Sequence, residues 1–181
     1  MKKVKVLFIG NSHTYVNDMP ELMAQLARSE GVECDVTMIA HGGWFLAQHV
    51  QEPDVRFNIL FGHNDYVVLQ EHTHPFAPAD KYLTAVQAIG EWIHQTTAKP
   101  VIYATWAQKT EPEKQPEMDA LQAQAAESIG ALYAPVGHEW WAHIAENPGV
   151  EMYYQDGQHT SKTGAAFAAK VIWETIKKDL E

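Results

Sequence analysis

The feature that most restricts the fold is a near-continuous apolar run at residues 4–9, broken only by Lys5 and closed by Gly10-Asn11-Ser12. A strand-length run without polar alternation is the pattern of a central parallel strand, covered on both faces. It falls well short of the roughly 20 apolar residues of a membrane span. Lys2 and Lys3 before it give a superficial likeness to a secretory leader, but Asn11-Ser12-His13 interrupts the run before any small-residue cleavage site. Further strand-length runs at 35–40, 66–70, 101–105 and 131–134 alternate with helical patterns. Asp18 is expected to cap a helix with Pro20 in its first turn and Gly31 at its end. Tyr82, Val86, Ile89 and Ile93 recur at helical spacing, as do Met118, Leu121, Ala125 and Ile129, and residues 162–178 read as a long terminal helix. This alternation predicts a single α/β domain over 1–181, with helices on both faces of a five-stranded parallel sheet.

In an open sheet of this kind, sites form at the carboxyl ends of the strands. The loops there are expected at 10–17, 41–44, 71–78, 106–116 and 135–138, and they carry His13, His41, His72, His74 and His138. The 106–116 segment, containing Pro and Glu, is a candidate rim or lid. The 181-residue chain has 13 Lys and Arg against 23 Asp and Glu, a formal charge of −10, with 10 histidines. That balance argues against nucleic acid and anionic membrane surfaces as partners, which need clustered basic side chains. Protonating every histidine would cancel the charge, so solubility is expected to fall in mild acid. Cys34 is the one cysteine, which excludes an intrachain disulfide and suits a reducing, cytoplasmic compartment.

Two segments carry the chemistry. In Gly10-Asn11-Ser12-His13-Thr14 the glycine permits a tight strand-to-helix turn, and a serine placed there is a nucleophile if a base reaches it. The plainer reading is a turn with Ser12 or Thr14 as a cap. In Asp156-Gly157-Gln158-His159-Thr160-Ser161, Asp and His stand three residues apart, close enough to meet within one turn. The carboxylate can then hold one imidazole nitrogen and free the other as a base. An Asp-Gly turn followed by a Ser161 cap accounts for the same segment except for His159.

Taken together, a serine after the first strand and a terminal Asp-x-x-His resemble the SGNH/GDSL hydrolase superfamily. Gly10-Asn11-Ser12 departs by one isosteric residue from the usual Gly-Asp-Ser. The resemblance implies a flavodoxin-like three-layer α/β/α sandwich, hydrolysis of a small-molecule acyl ester, and no cofactor. It implies a Ser12-His159-Asp156 triad, with an oxyanion hole built from the backbone N–H groups of Ser12 and Gly43. Gly43 comes from Ala40-His41-Gly42-Gly43-Trp44, where a simple turn is the alternative. The superfamily's Gly-x-Asn-Asp block is expected after the third strand. Here Gly62-His63-Asn64-Asp65 precedes that strand and is read as a decoy, whereas Gln70-Glu71-His72 follows it. Gln70 is therefore expected to supply the third oxyanion donor in place of Asn, with His74 as the alternative.

His13, His41, Trp44, His74 and Trp106 are expected to line the substrate. Trp140 and Trp141 lie near the same rim, where aromatic faces could stack on an acetylated carbohydrate. Two other readings stand beside the esterase: a non-catalytic ligand-binding module on the same fold, and a metal-dependent hydrolase using His13, His41, His72 and His74. No metal site is assigned, and the oligomeric state is not legible.

Overall fold

The computed structural model describes residues 2–181. Five strands, β1 (Lys2–Gly10), β2 (Val32–Ala40), β3 (Tyr66–Leu69), β4 (Lys99–Tyr103) and β5 (Leu132–Ala134), form one sheet in the order β2-β1-β3-β4-β5, every pairing parallel. Eight helices join and cover them: α1 (Ser12–Tyr15), α2 (Met19–Ser29), α3 (Leu46–His49), α4 (Pro53–Phe61), α5 (Ala79–Ile93), α6 (Gln115–Ser128), α7 (Val136–Glu146) and α8 (Lys162–Leu180). The strand order is the flavodoxin-like one. Its direction reverses between β1 and β3, which opens a crevice at their carboxyl ends.

The period-two alternation of β1 explains why that strand had to be apolar throughout. Val4, Val6 and Phe8 face a core shared with α2 and α8, where they meet Met23, Ala168 and Ile172. Leu7 and Ile9 face the opposite core, with Val86, Ile89 and Ile93 of α5. Each such side chain contributes about 1.5–3 kcal/mol when fully buried. Phe8→Ala would cost about 3–5 kcal/mol, because the closely packed layers cannot close the hole.

Element boundaries shift modestly from the sequence reading. β2 starts at Val32, three residues early, and β4 takes in Lys99 and Pro100. The expected loop at 135–138 is instead the start of α7, so His138 lies on a helix and pairs with Asp119 at the surface (3.3 Å). Gly137 lets that helix pack against β4, since a Cβ there would lie 2.0 Å from the Thr105 carbonyl oxygen. Asp18 does not cap α2 through its side chain: Asn17 (φ 59°) and Asp18 (φ 56°) are both left-handed. That turn directs the Asn17 amide to the Thr160 carbonyl (2.9 Å), tying the first loop to the last.

Candidate active site

The β1–α1 turn is built around two side-chain amides. Asn11 caps α1, its Oδ1 accepting from the His13 N–H (3.0 Å), while its Nδ2 donates to the Trp44 carbonyl (3.1 Å). An aspartate could cap the helix but could not make the second bond. The departure from Gly-Asp-Ser therefore ties the first loop to the second. Gly10 is required by close approach: a Cβ would lie 2.4 Å from Thr14 Oγ1 and 2.5 Å from Gln70 Oε1.

Ser12, at the start of α1, has its Oγ 2.7 Å from His159 Nε2, and His159 Nδ1 is 2.6 Å from Asp156 Oδ2. The residues predicted from opposite ends of the chain meet in one hydrogen-bonded line. Asp156 also accepts from the backbone N–H groups of Gln158 (2.9 Å) and His159 (3.0 Å) through Oδ1. Partial burial pushes its carboxyl upward, but these bonds outweigh burial and bring it to about 2. An ionised Asp156 fixes the proton on Nδ1, which leaves Nε2 to accept from the Ser12 hydroxyl. The loop is held from outside as well, with the Trp106 indole donating to the Gln158 carbonyl (2.8 Å) and the Tyr154 N–H to the His159 carbonyl (2.8 Å). Ser161 then caps α8, accepting from the Gly164 N–H (3.0 Å).

The first and second loops each carry an expected oxyanion donor. The N–H of Ser12, in the first turn of α1, and that of Gly43 have no hydrogen-bond partner among the described residues. Gly43 (φ +73°) is the third residue of a turn closed by the Trp44 N–H to the His41 carbonyl (3.1 Å), a position that demands the left-handed region.

Gln70, the expected third donor, braces the first loop. It is buried, its Oε1 accepting from the Asn11 N–H (2.9 Å) and the Thr14 hydroxyl (2.8 Å), and its Nε2 donating to the Glu71 carbonyl. One of the two Nε2 hydrogens is thereby used inside the turn. His74 does not replace Gln70, for Nε2 lies 3.1 Å from the Trp106 carbonyl and burial lowers the ring to about 4. A neutral ring donating from Nε2 presents Nδ1 as an acceptor only.

The other expected lining residues divide. Trp106 and Trp140 are fully buried and stacked on each other (4.2 Å, 7°), so Trp106 is core and not substrate-lining as expected. His13 is buried against Trp106, His74 and His159. His41 and a half-buried Trp44 pack together near the Gly43 turn, with His49 beneath. His74 lines a cleft of about 630 Å³, together with Phe76, Gln108, Met118 and Gln158. Two of the four histidines of the metal reading pack on aromatic rings, His72 stacked on Phe45 (4.2 Å) and His41 tilted against Trp44 (4.2 Å). No group of three or more His, Cys, Asp or Glu side chains among the described residues is placed to hold a metal ion. Gly62-His63-Asn64-Asp65 lies at the amino end of β3, where Asp65 accepts from the Lys5 N–H (2.7 Å), as its place before the strand predicted.

One residue of consequence escaped the sequence reading. Glu71 is 2% exposed, with Oε1 accepting from the N–H groups of Leu46 (3.1 Å) and His72 (2.6 Å) and Oε2 without a partner. Burial raises its carboxyl to about 7, against the lowering effect of those two donors. Its available signal was a lone carboxylate following a wholly apolar strand.

Among solved structures, the chain aligns with a protein of Slackia heliotrinireducens assigned to the SGNH hydrolases, at 30% identity over 97% of this chain and 100% of that one, with a TM-score of 0.81. The chain belongs to the SGNH hydrolases. A DUF4886 family protein from Bacteroides uniformis shares the fold at a TM-score of 0.82 and 20% identity, over 98% of this chain and 84% of that one. So does a mutant of Axe2, an acetyl-xylooligosaccharide esterase from Geobacillus, at 0.74 and 14%, over 97% and 95%. No family profile and no curated protein matches the sequence. No helix among the described residues is long and apolar enough to cross a membrane.

Proposed function

We propose that this SGNH hydrolase is a serine esterase that cleaves a small acyl ester through Ser12, His159 and Asp156. The observation that carries the reading is the unbroken line of hydrogen bonds from Ser12 Oγ through the His159 ring to Asp156, at 2.7 and 2.6 Å. Ser12 Oγ attacks the ester carbonyl carbon and passes its proton to His159 Nε2. The carbonyl π pair becomes an oxyanion facing the free N–H groups of Ser12 and Gly43. Collapse breaks the bond to the alkoxide, which takes the proton back from His159 and departs as an alcohol. Water repeats the sequence on the acyl-Ser12 ester, releasing the acid and restoring the serine.

A two-donor hole has the strength of backbone N–H pairs in other serine hydrolases. The engaged Gln70 amide is the one observation favouring a non-catalytic binding module. An acetyl ester of a carbohydrate is the preferred substrate class. It is supported by the fold shared with the acetyl-xylooligosaccharide esterase and by the accessible Trp44 and His41 pair. The buried Trp106 and Trp140 remove two of the aromatic faces that might have strengthened it. The single buried thiol, Cys34, fits a cytoplasmic setting.

Hydrolysis of p-nitrophenyl acetate and of an acetylated xylo-oligosaccharide tests the reading. Wild type should turn over both, and Ser12→Ala should lose at least about 10³-fold. Equal turnover by wild type and Ser12→Ala would overturn the mechanism. Carbohydrate binding without turnover would favour the binding module.

A further inference from the structure

Gln70 and Glu71 are neighbours in the chain, yet each grips a different loop of the site. Gln70 holds the Ser12 turn, through Asn11 N–H and the Thr14 hydroxyl. Glu71 holds the Leu46 N–H, three residues beyond Gly43, together with its own neighbour's N–H at His72. The Asn11 amide closes the figure by donating to the Trp44 carbonyl, between Gly43 and Leu46. Both free backbone donors, on Ser12 and Gly43, therefore belong to loops fastened to one dipeptide at the end of β3. That dipeptide occupies the position from which a side-chain donor was expected.

The fastening on the Gly43 side is chemically asymmetric. A Glu71 carboxylate gives Oε1 two charge-assisted bonds, each stronger than a neutral one. The protonated acid weakens both, and its Oε2 has no hydrogen-bond partner among the described residues. The groups around the carboxyl are few. His72 lies on its own loop, and Phe45, Leu46 and Gln48 come from the second loop and α3. Lys81 and the buried Tyr82 come from α5. Lys81 brings a positive charge to the 250 Å³ hollow beside Glu71, whose Oε2 has no hydrogen-bond partner.

We propose that Glu71 is a positioning residue for the oxyanion side of the site, holding the Gly43 turn in its working geometry when ionised and releasing it when protonated. The inference rests on the esterase reading for its effect on rate, but not for its effect on structure. Burial sets the transition near neutral pH, at about 7.

The test compares kcat and KM of wild type and Glu71→Gln from pH 5.5 to 8.5 on p-nitrophenyl acetate. It is paired with NMR of the Glu71 carboxyl carbon and of the Gly43, Leu46 and His72 amides. Glu71→Gln keeps the acceptor and the shape but is neutral at every pH. The ratio of wild-type to Glu71→Gln kcat should rise from about 1 at pH 5.5 to about 10 at pH 8.5, with KM nearly unchanged. A ratio that stays constant with pH would mark a merely structural role and overturn the proposal. In wild type alone, the Glu71 carboxyl carbon should titrate near neutrality and the Leu46 and Gly43 amides should move with it. A carboxyl that titrates in the ordinary range near pH 4–5 would overturn the proposal, even if Glu71→Gln fails to fold. Amides that follow Glu71 in a protein without esterase activity would uphold the brace and refute the esterase reading instead.

Discussion

The ring of His13 lies 4.6 Å from the ring of His159 and is tilted only 23° from it, so the candidate general base rests flat on a buried neighbour. His13 in turn packs on His74 (5.1 Å) and Trp106 (5.6 Å). Burial holds its ring neutral, with its pKa well below the ordinary value, and the nearby His74 and His159 reinforce that. A neutral imidazole can face a developing imidazolium on His159 without repulsion. We propose that His13, expected from the sequence to line the substrate, supports the His159 ring from beneath.

That support predicts a distinct mutant pattern. His13→Ala should lower kcat by about 10-fold, since an aromatic pair is worth about 0.5–1.5 kcal/mol beyond its buried area. His13→Phe keeps a ring against His159 and should recover most of that loss. Steady-state kinetics of the two variants, with circular dichroism as a control for folding, checks this.

Buried histidines make folding sensitive to acid. His13, His49 and His74 are lowered chiefly by burial, His74 to about 4. Each binds its proton more readily unfolded than folded, so its stabilisation is complete above pH 6.5 and is lost as pH falls toward the folded value. For His74 alone the full span is about 3 kcal/mol. Glu71 acts in the opposite direction between about pH 4.5 and 7, because its raised carboxyl makes the native state the better proton binder there. Three groups outweigh one. The urea midpoint should fall between pH 7.5 and 5, and His74→Gln should flatten that fall.

Restoring the superfamily's usual first block should harm this protein. Asn11→Asp keeps the α1 cap but sets a carboxylate oxygen against the Trp44 carbonyl, where the amide now donates at 3.1 Å. The expected cost is about 1–3 kcal/mol in stability, with a fall in kcat as the second loop loosens. Thermal melting and p-nitrophenyl acetate turnover measure both.

Gly10→Ala should be equally costly in a different way. Its Cβ would overlap Thr14 Oγ1 and Gln70 Oε1, and moving either breaks the hydrogen bond between them. A loss of about 1–3 kcal/mol is expected from a denaturant titration.

How much of this was legible in the sequence depended on how local each determinant is. Phe8 and Leu7 had to face opposite cores because a strand alternates, so the sheet could be read from one apolar run. Asp156 and His159 meet within a turn, and Ser12 follows a strand end, so the hydrogen-bonded line needed only the fold class to assemble. Gln70 was a different case. Whether its amide faces a cleft or folds back into the Asn11 turn depends on Thr14 and Gly10, which pack against it across 56 and 60 residues of chain. Trp106 looked like rim because it follows β4, but its stack on Trp140 of α7 places it in the core. The start of that helix was read as a loop at 135–138. Glu71 went unnoticed because its importance lies in the Leu46 N–H that it accepts from the next loop, a contact without a sequence signature.

The most direct test of the Ser12 assignment is covalent labelling. Protein treated with a fluorophosphonate, digested and mapped by mass spectrometry should carry one adduct on the peptide containing Ser12. Labelling should be absent in Ser12→Ala and at least about 100-fold slower in His159→Ala. An adduct on another residue, equal labelling of Ser12→Ala, or no labelling of folded wild type would contradict the account.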